Sequence, residues 1–300
     1  VYQRYETKEL NKIFTNFIFA KRNRDIIEYN LFKRLRLKLV SFLSEFRIIN
    51  NYVSYLDYLL SWALLIINNK WVLPDIHNGD EVMIIKWRHP MLEMVIGSSN
   101  IVPNNVLFSP SSTFKCLTGI NMGWKTIYMK MVGLLSLLAH CWLAIPAEEG
   151  SIGLMDNIFV RAGASDNFLR EQSTFSLEMN ELAYILNNYT QKSLILIDEI
   201  GRGTDVKDGY PIALASAENI INKKARCIFA THFHDIAQDI EWYDNAKNIS
   251  VVIDIWEDGD LVITHNIVNW RNNNSFWLHI AQIAGLPQDV LSRAYQIKDK

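Results

Sequence analysis

The sequence has no glycine or proline before Pro74, although the 300 residues include 13 glycines and seven prolines. Because these two residue types interrupt regular structure most strongly, their absence excludes a turn-rich N-terminal region and favours long helices. Cysteine is also scarce, and none of the three (Cys116, Cys141 and Cys227) belongs to a C-x-x-C pair. This usage excludes a disulfide framework and predicts buried free thiols in a reducing compartment.

No apolar run approaches the roughly 20 residues that a membrane-spanning helix needs, so we expect no membrane contact. The first ten residues lack signal-peptide features and an initiator Met, which predicts a piece of a longer cytoplasmic protein. The net charge of −2 excludes a uniformly basic nucleic-acid binder, but residues 1–50 hold 11 Lys and Arg against five Asp and Glu. A basic segment therefore precedes a mildly acidic body.

Apolar residues in the N-terminal region recur every three or four positions, which predicts one face of a long helix. They are Ile26, Ile27, Leu31, Leu35, Leu39, Phe42, Leu43 and Phe46. Residues 52–67 predict a second, more buried helix. Four basic residues (Lys33, Arg34, Arg36 and Lys38) lie largely off the apolar face. They form either a solvated surface or a contact with an acidic partner such as DNA.

Beyond a boundary near residue 70, β-rich runs alternate with helical ones, which predicts an α/β sheet with crossover connections. The expected strands and helices cover residues 114–118, 125–140, 194–198, 208–222 and 226–231. Residues 249–268 predict a hairpin that turns at Asp258-Gly259. From Phe276 onward, two short helices are expected on either side of Gly285-Leu286-Pro287.

Residues 118–126 follow a strand and begin a helix, which is the setting of a phosphate-binding loop, G-x-x-x-x-G-K-[ST]. Backbone N–H groups would surround the phosphates, Lys125 would neutralise them, and the Thr126 hydroxyl would hold Mg²⁺. Trp124 departs from the pattern, which requires glycine at this position. The expected nucleotide-binding residues of the loop are Gly119, Asn121, Met122, Gly123, Trp124, Lys125 and Thr126.

Two carboxylates end the apolar strand at residues 194–198. Asp198 is placed to hold Mg²⁺ through water, and Glu199 to orient or deprotonate the attacking water. His232 follows the next predicted strand, where a sensor of the γ-phosphate would lie. Each feature alone also fits a solvated strand end or a structural histidine. Together, in this order, they predict a site for a nucleotide's phosphates and Mg²⁺, with Glu199 and His232 as catalytic residues.

At this point the chain resembles the MutS-type DNA mismatch repair ATPases. Gly119–Thr126 is similar to that family's G-P-N-M-G-G-K-S loop, and residues 198–204 match its D-E-[IL]-G-R-G-T motif. Further similarity lies in Ser173-Thr174-Phe175 with Glu178-Met179 (S-T-F-x-x-E-M) and in Ala230-Thr231-His232-Phe233 (A-T-H-[FY]). Weaker matches, in the same order along the chain, extend the resemblance over essentially all of the sequence.

The resemblance implies a P-loop ABC-type ATPase sheet flanked by helices, preceded by long lever helices and followed by a short helical dimerisation element. The corresponding domains are residues 1–70, 71–270 and 271–300. It further implies a homodimer or a paralogous heterodimer in which Ser173 and Thr174 cap the nucleotide of the other subunit. The implied partners are mismatched double-stranded DNA, bound mostly through upstream domains, and a MutL-type repair protein. The implied location is the bacterial cytoplasm, at the nucleoid.

Of two other families of related proteins, the first stays open and the second is disfavoured on the same residues. A MutS relative used in recombination would differ in its upstream domains. An ABC-type ATPase of the chromosome-maintenance kind would carry an L-S-G-G-like signature, whereas this chain has Ser173-Thr174-Phe175.

Five of the nine tryptophans stand where the family has glycine: Trp87, Trp124, Trp142, Trp270 and Trp277. Tryptophan supplies neither the positive φ nor the close backbone approach for which glycine is selected. We hypothesise that the source organism reads UGA as glycine and that these codons were translated as tryptophan. The alternative is a genuine Trp124 beside the phosphates. Nucleotide binding would then be crippled, leaving a nucleotide-free module that dimerises and contacts DNA.

We predict that the codons for these five positions are UGA and that the other four tryptophan codons are mainly UGG. Reading the gene sequence tests this directly. UGG at all nine positions would contradict the hypothesis and favour the nucleotide-free module.

Overall fold

The computed structural model describes residues 7–97, 101–119, 124–162, 174–201, 206–255, 261–269, 281–282 and 285–298. Within these ranges the chain is mixed α/β, as the alternation of strands and helices predicted, with long N-terminal helices followed by two mixed sheets. It divides into two compact units, the first ending at Leu64 and the second beginning at Leu65.

The N-terminal region forms helices α1 (Lys8–Val40) and α2 (Leu43–Asn69). The expectation of one continuous helix through Phe46 is wrong, because helix α1 ends before Ser41. The Ser41 hydroxyl donates to the Lys38 carbonyl at 2.7 Å, and the Phe42 N–H donates to the Leu39 carbonyl at 3.1 Å. These local hydrogen bonds replace the regular helical pattern and interrupt the helix.

The expectations about burial hold only in part. Helix α2 is more buried than α1, since Trp62, Leu65 and Ile66 are partly buried, but it contains no fully buried residue. Cys141 is exposed, whereas Cys116 and Cys227 are buried as predicted. Burial depends on what packs against a segment, so apolar content alone could not decide either case.

The remaining elements follow the expected alternation. The strands are β1 (Asp75–His77), β2 (Val82–Trp87), β3 (Asn104–Phe108), β4 (Phe114–Thr118), β5 (Glu149–Gly153), β6 (Ile158–Arg161), β7 (Leu194–Asp198), β8 (Arg226–Ala230), β9 (Ala246–Ile255) and β10 (Leu261–Val268). The helices are α3 (Pro90–Ile96), α4 (Trp124–His140), α5 (Thr174–Asn188), α6 (Val206–Asn222), α7 (His234–Asp239) and α8 (Gln288–Lys298). A short 3₁₀ helix, Ile240–Trp242, follows α7.

The strands form two sheets. The smaller has the order β1-β5-β2-β3, and the larger has the order β10-β9-β4-β8-β7-β6. In the larger sheet, neighbours from β9 to β6 pair in parallel, and β10 pairs with β9 in the antiparallel sense. The predicted hairpin is therefore confirmed, although its turn at Asp258-Gly259 lies outside the described residues. Helix α8 is confirmed too, while the helix expected before it lies mostly outside them.

The central strands of the larger sheet are buried on both faces, and every residue of β4, β7 and β8 is buried. Leu117 and Leu196 face helix α4 and the smaller sheet. Ile197 and Phe229 face the other way, toward helices α5 and α6. This double burial explains why these strands are almost continuously apolar in sequence.

The end of helix α4 places Trp142 in a left-handed conformation with φ of +59°. Its N–H donates to the Ala139 carbonyl at 2.9 Å, and the Leu143 N–H donates to the Leu138 carbonyl at 3.0 Å. This is the hydrogen-bond pattern of a Schellman motif, whose left-handed residue is usually glycine. The Trp142 side chain is 78% exposed and gains little packing in return. The backbone therefore favours glycine at position 142.

We predict that Trp142→Gly raises the free energy of unfolding by about 1 kcal/mol, because it removes the steric cost of a side chain in the left-handed region. Urea unfolding of the two proteins measures the change. Trp242→Gly is the matched control, because Trp242 is 90% exposed but has no positive φ. A similar or greater gain for the control would contradict the explanation.

Lys115 is an unusual buried lysine in β4, with 5% of its surface exposed. Its ammonium donates to the Ser112 hydroxyl at 3.1 Å and lies 5.4 Å from the centre of the Phe108 ring. Burial, with a contribution from the charge of Lys247, lowers the pKa of Lys115 to about 8. In the unfolded chain the pKa returns to about 10.4. The unfolded state therefore binds this proton more tightly, and the buried charge destabilises the fold at neutral pH.

We predict that Lys115→Met raises the free energy of unfolding by about 2 kcal/mol at pH 7. This advantage should shrink as the pH rises from 8 to 10, because the folded wild-type lysine then loses its proton. Urea unfolding at several pH values measures both effects. Lys247→Met, at an exposed position on the adjacent strand, is the control and should change stability little. An advantage that stays constant from pH 7 to 10 would contradict the prediction.

Candidate nucleotide site

The predicted site residues meet at one edge of the larger sheet, where strands β4, β8 and β7 end side by side. Gly119 follows β4, Asp198 ends β7 and is followed by Glu199, and His232 lies just beyond β8. Helix α4 brings Lys125 and Thr126 to the same edge. The crevice outside the carboxyl ends of parallel strands is the usual ligand site of an α/β sheet.

Lys125 lies in the first turn of helix α4 and is only 3% exposed. Its ammonium donates to the Gly119 carbonyl at 3.1 Å and lies 3.6 Å from Oε1 of Glu199. Burial lowers the pKa of Lys125, and the carboxylates of Glu199 and Asp198 act in the opposite direction. An ammonium in this setting can attract an anion with little screening by solvent.

Thr126 and Asp198 form the part of the site that could hold a cation. The Thr126 hydroxyl donates to Oδ2 of Asp198 at 2.5 Å. The second oxygen of Asp198, Oδ1, is buried and has no hydrogen-bond partner among the described residues. A buried carboxylate oxygen without a donor is costly unless a cation or a water meets it. The pair therefore fits Mg²⁺, which often takes one or two protein oxygens and completes its shell with phosphates and water.

In the described parts of the chain, no group of three or more His, Cys, Asp or Glu side chains is arranged to bind a metal ion. A Mg²⁺ ion held by Thr126 and Asp198 would therefore depend on oxygens of the nucleotide and of water.

Glu199 lies immediately after β7 in a left-handed conformation with φ of +53°. Such a conformation costs about 1–3 kcal/mol and persists only where surrounding contacts fix it. Oε1 of Glu199 lies 2.5 Å from Nε2 of His232, and the Glu199 side chain is 10% exposed against 33% for His232. The carboxylate is thus held between an ammonium and an imidazole, within hydrogen-bonding reach of the imidazole.

Four of the predicted site residues lie outside the described residues: Asn121, Met122, Gly123 and Ser173. Thr174 is described only as the first residue of helix α5.

The structure describes two further residues of the predicted phosphate loop. Trp124 begins helix α4 and is 8% exposed. Gly119 has a φ of +141°, a backbone conformation that residues other than glycine rarely adopt.

Sequence reasoning did not assign two buried residues that contact this edge, Arg161 and Glu178. Both are about 5% exposed, and they bond to the backbone of residues 198–201. A signal was present in the sequence, because Arg161 ends an otherwise apolar strand and Glu178 lies beside apolar helix residues. A charge in such a place indicates a buried ion pair, but the sequence alone does not name its partner.

The family model for MutS domain V matches residues 115–300, which include every candidate site residue. In the part of the chain that is described, no helix is both long and apolar enough to cross a membrane.

Curated relatives extend the similarity to the N-terminal helices. The DNA mismatch repair protein MutS of Caldicellulosiruptor saccharolyticus is 39% identical over 99% of this chain and 35% of its own length. The proteins of the same name from Fusobacterium nucleatum and Lawsonia intracellularis are 37% and 36% identical over 99% and 97% of this chain, and each is covered over 33% of its length. The chain therefore spans about a third of the relatives it matches.

Proposed function

The chain belongs to the MutS family of DNA mismatch repair proteins, and we propose that it is the part that binds and hydrolyses ATP and couples this turnover to mismatch binding. The observation that carries the proposal is the meeting of Lys125, Glu199, His232 and the Thr126–Asp198 pair at one sheet edge. Positive charge, a carboxylate base and a cation site are the groups that phosphoryl transfer to water requires.

Lys125 would bind the β- and γ-phosphates. In the structure its ammonium is occupied by the Gly119 carbonyl and by Glu199. An entering phosphate would replace these partners, because its charge exceeds theirs and the site is shielded from solvent. Thr126 and Asp198 would hold Mg²⁺, which would supply positive charge to neutralise the negative charge that develops on the phosphates.

Glu199 would then orient the attacking water and accept its proton, since Lys125 would have turned to the phosphate. His232 lies beside the same carboxylate oxygen and would donate a hydrogen bond to the γ-phosphate. The residues of the loop that lie outside the described ranges, Asn121, Met122 and Gly123, would complete the cradle through their backbone N–H groups.

The proposal extends to the assembly around this site. Residues 1–70 would form the lever region, 71–270 the ATPase domain and 271–300 a dimerisation element. Ser173 and Thr174 would cap the nucleotide of the other subunit in a homodimer or a paralogous heterodimer. Mismatched double-stranded DNA and a MutL-type protein would be the partners, in a cytoplasmic protein that works at the nucleoid.

A nucleotide-free module that only dimerises and contacts DNA is the alternative, and Trp124 in the phosphate loop favours it. The left-handed backbone at Trp142 opposes it, because one tryptophan that replaces a family glycine lies where the backbone itself favours glycine. The alternative predicts no change in shape or stability when ATP is added.

We predict that Glu199→Gln lowers kcat for ATP hydrolysis about 10²- to 10³-fold, because it removes the general base. ATP binding should be retained, since the amide keeps the shape of the side chain. Lys125→Met should instead weaken ATP binding itself. Phosphate release and direct nucleotide titration, on the full-length protein that contains this chain, measure the two effects.

Glu149→Gln is the matched control for Glu199→Gln, because Glu149 is an exposed carboxylate at the start of β5. It should hydrolyse ATP at the wild-type rate. If the wild-type protein neither binds nor hydrolyses ATP, the nucleotide-free module is the correct function.

A further inference from the structure

Arg161 holds the backbone that carries the two carboxylates of the site. It is the last residue of β6, the strand next to β7, and 4% of its surface is exposed. One guanidinium nitrogen donates to the Asp198 carbonyl and, at 2.7 Å, to the Glu199 carbonyl. A single rigid group thus fixes two consecutive peptide units at the point where Glu199 turns into the left-handed region.

Glu178 holds the same turn at Gly201. It lies on helix α5, is 5% exposed, and accepts the Gly201 N–H at 2.5 Å through Oε1. The same oxygen lies 3.4 Å from a guanidinium nitrogen of Arg161, so each charge is compensated by the other. Gly201 has φ of +82°, and a Cβ there would lie 3.0 Å from the Gly209 backbone of helix α6. The turn therefore has little room to move.

We propose that Arg161 and Glu178 are positioning residues that fix the orientation of Glu199 for hydrolysis. The inference rests on the proposed ATPase function. The φ of +53° at Glu199 is strained, and bonds from Arg161 to its carbonyl and from Glu178 to the Gly201 N–H oppose relaxation to an ordinary conformation. A relaxed turn would move the carboxylate away from Lys125 and His232, and misplacement by about 1 Å can cost roughly 100-fold in rate.

A second buried arginine, Arg226, provides a control that distinguishes a positioning role from a purely structural one. Arg226 is 1% exposed and donates to the carbonyls of Asp80 and Lys192 at 2.9 Å. It also contacts the Leu154 carbonyl, and it begins β8, so it lies at the amino edge of the parallel strands, opposite the site. It matches Arg161 in burial and in bonding to backbone carbonyls, but its hydrogen bonds and ion pair among the described residues include no residue of the candidate site.

The test compares Arg161→Lys and Glu178→Gln with Arg226→Lys in the full-length protein. Lysine keeps the charge of Arg161 but cannot bond two successive carbonyls through a planar group. Glutamine removes the buried carboxylate nearest to Arg161 and leaves only the half-exposed Glu181, at 3.9 Å. We expect kcat to fall about 100-fold in both site variants, with KM for ATP within about threefold of wild type. Arg226→Lys should lose stability and keep its kcat per folded molecule.

Hydrogen–deuterium exchange provides a readout that needs no ATPase activity. Amides in residues 199–201 should exchange about tenfold faster in the site variants than in wild type or Arg226→Lys. Unchanged exchange there, or kcat within twofold of wild type in both folded site variants, would overturn the proposal. If Arg161→Lys does not fold, Glu178→Gln decides alone. If the wild-type protein hydrolyses no ATP, the proposed function is wrong. The exchange data still decide whether Arg161 and Glu178 fix the turn at residues 199–201.

Discussion

The parallel register of strands β4, β8 and β7 is the constraint on which the candidate site depends. Ala230 pairs with Leu117 on one side and with Asp198 on the other, so the three strands end level with one another. Side chains that follow these ends emerge at one edge, although they are far apart along the chain. Burial on both faces of each strand fixes the register, because a slip by one residue would exchange the side chains between the two packed faces.

The same edge concentrates charge in a dry environment. Lys125, Asp198, Glu199, Arg161 and Glu178 are each at most about a tenth exposed. Removing such groups from water is costly unless opposite charges and hydrogen bonds compensate them. Here carboxylates face an ammonium and a guanidinium, and backbone carbonyls take up further donors. Groups held in this way need little rearrangement to stabilise charge on a ligand, and this is the main source of electrostatic catalysis.

Glu199 and Trp142 both have a left-handed backbone conformation, but their surroundings differ. Glu199 is buried, and ion pairs and backbone bonds fix the turn around it. Contacts from several residues therefore hold this strained conformation, and it lies within the candidate site. Trp142 follows helix α4 with its side chain largely in solvent, so the side chain gains little packing to offset the cost of the left-handed conformation. The first observation agrees with a catalytic carboxylate, and the second agrees with a glycine codon read as tryptophan.

Much of this protein could be predicted from local signals. The alternation of elements, the helix after Gly119, the apolar strand that ends in Asp198-Glu199 and the final helix depend on short-range periodicity and on glycine and proline placement. The sequence motifs also indicated which family the chain resembles, and the family comparison agrees.

Periodicity could not decide the rest. The break at Ser41 depends on hydrogen bonds within a single turn, and the exposure of Cys141 and the lack of buried residues in α2 depend on what packs against them. By itself, the sequence determined the elements and the residue types at their ends, because these follow from contacts within a few residues. Only the tertiary structure decided that Arg161 and Glu178 hold the turn at Glu199. Their partners come from other strands and helices, and pairing between distant segments exists only once the sheet has formed.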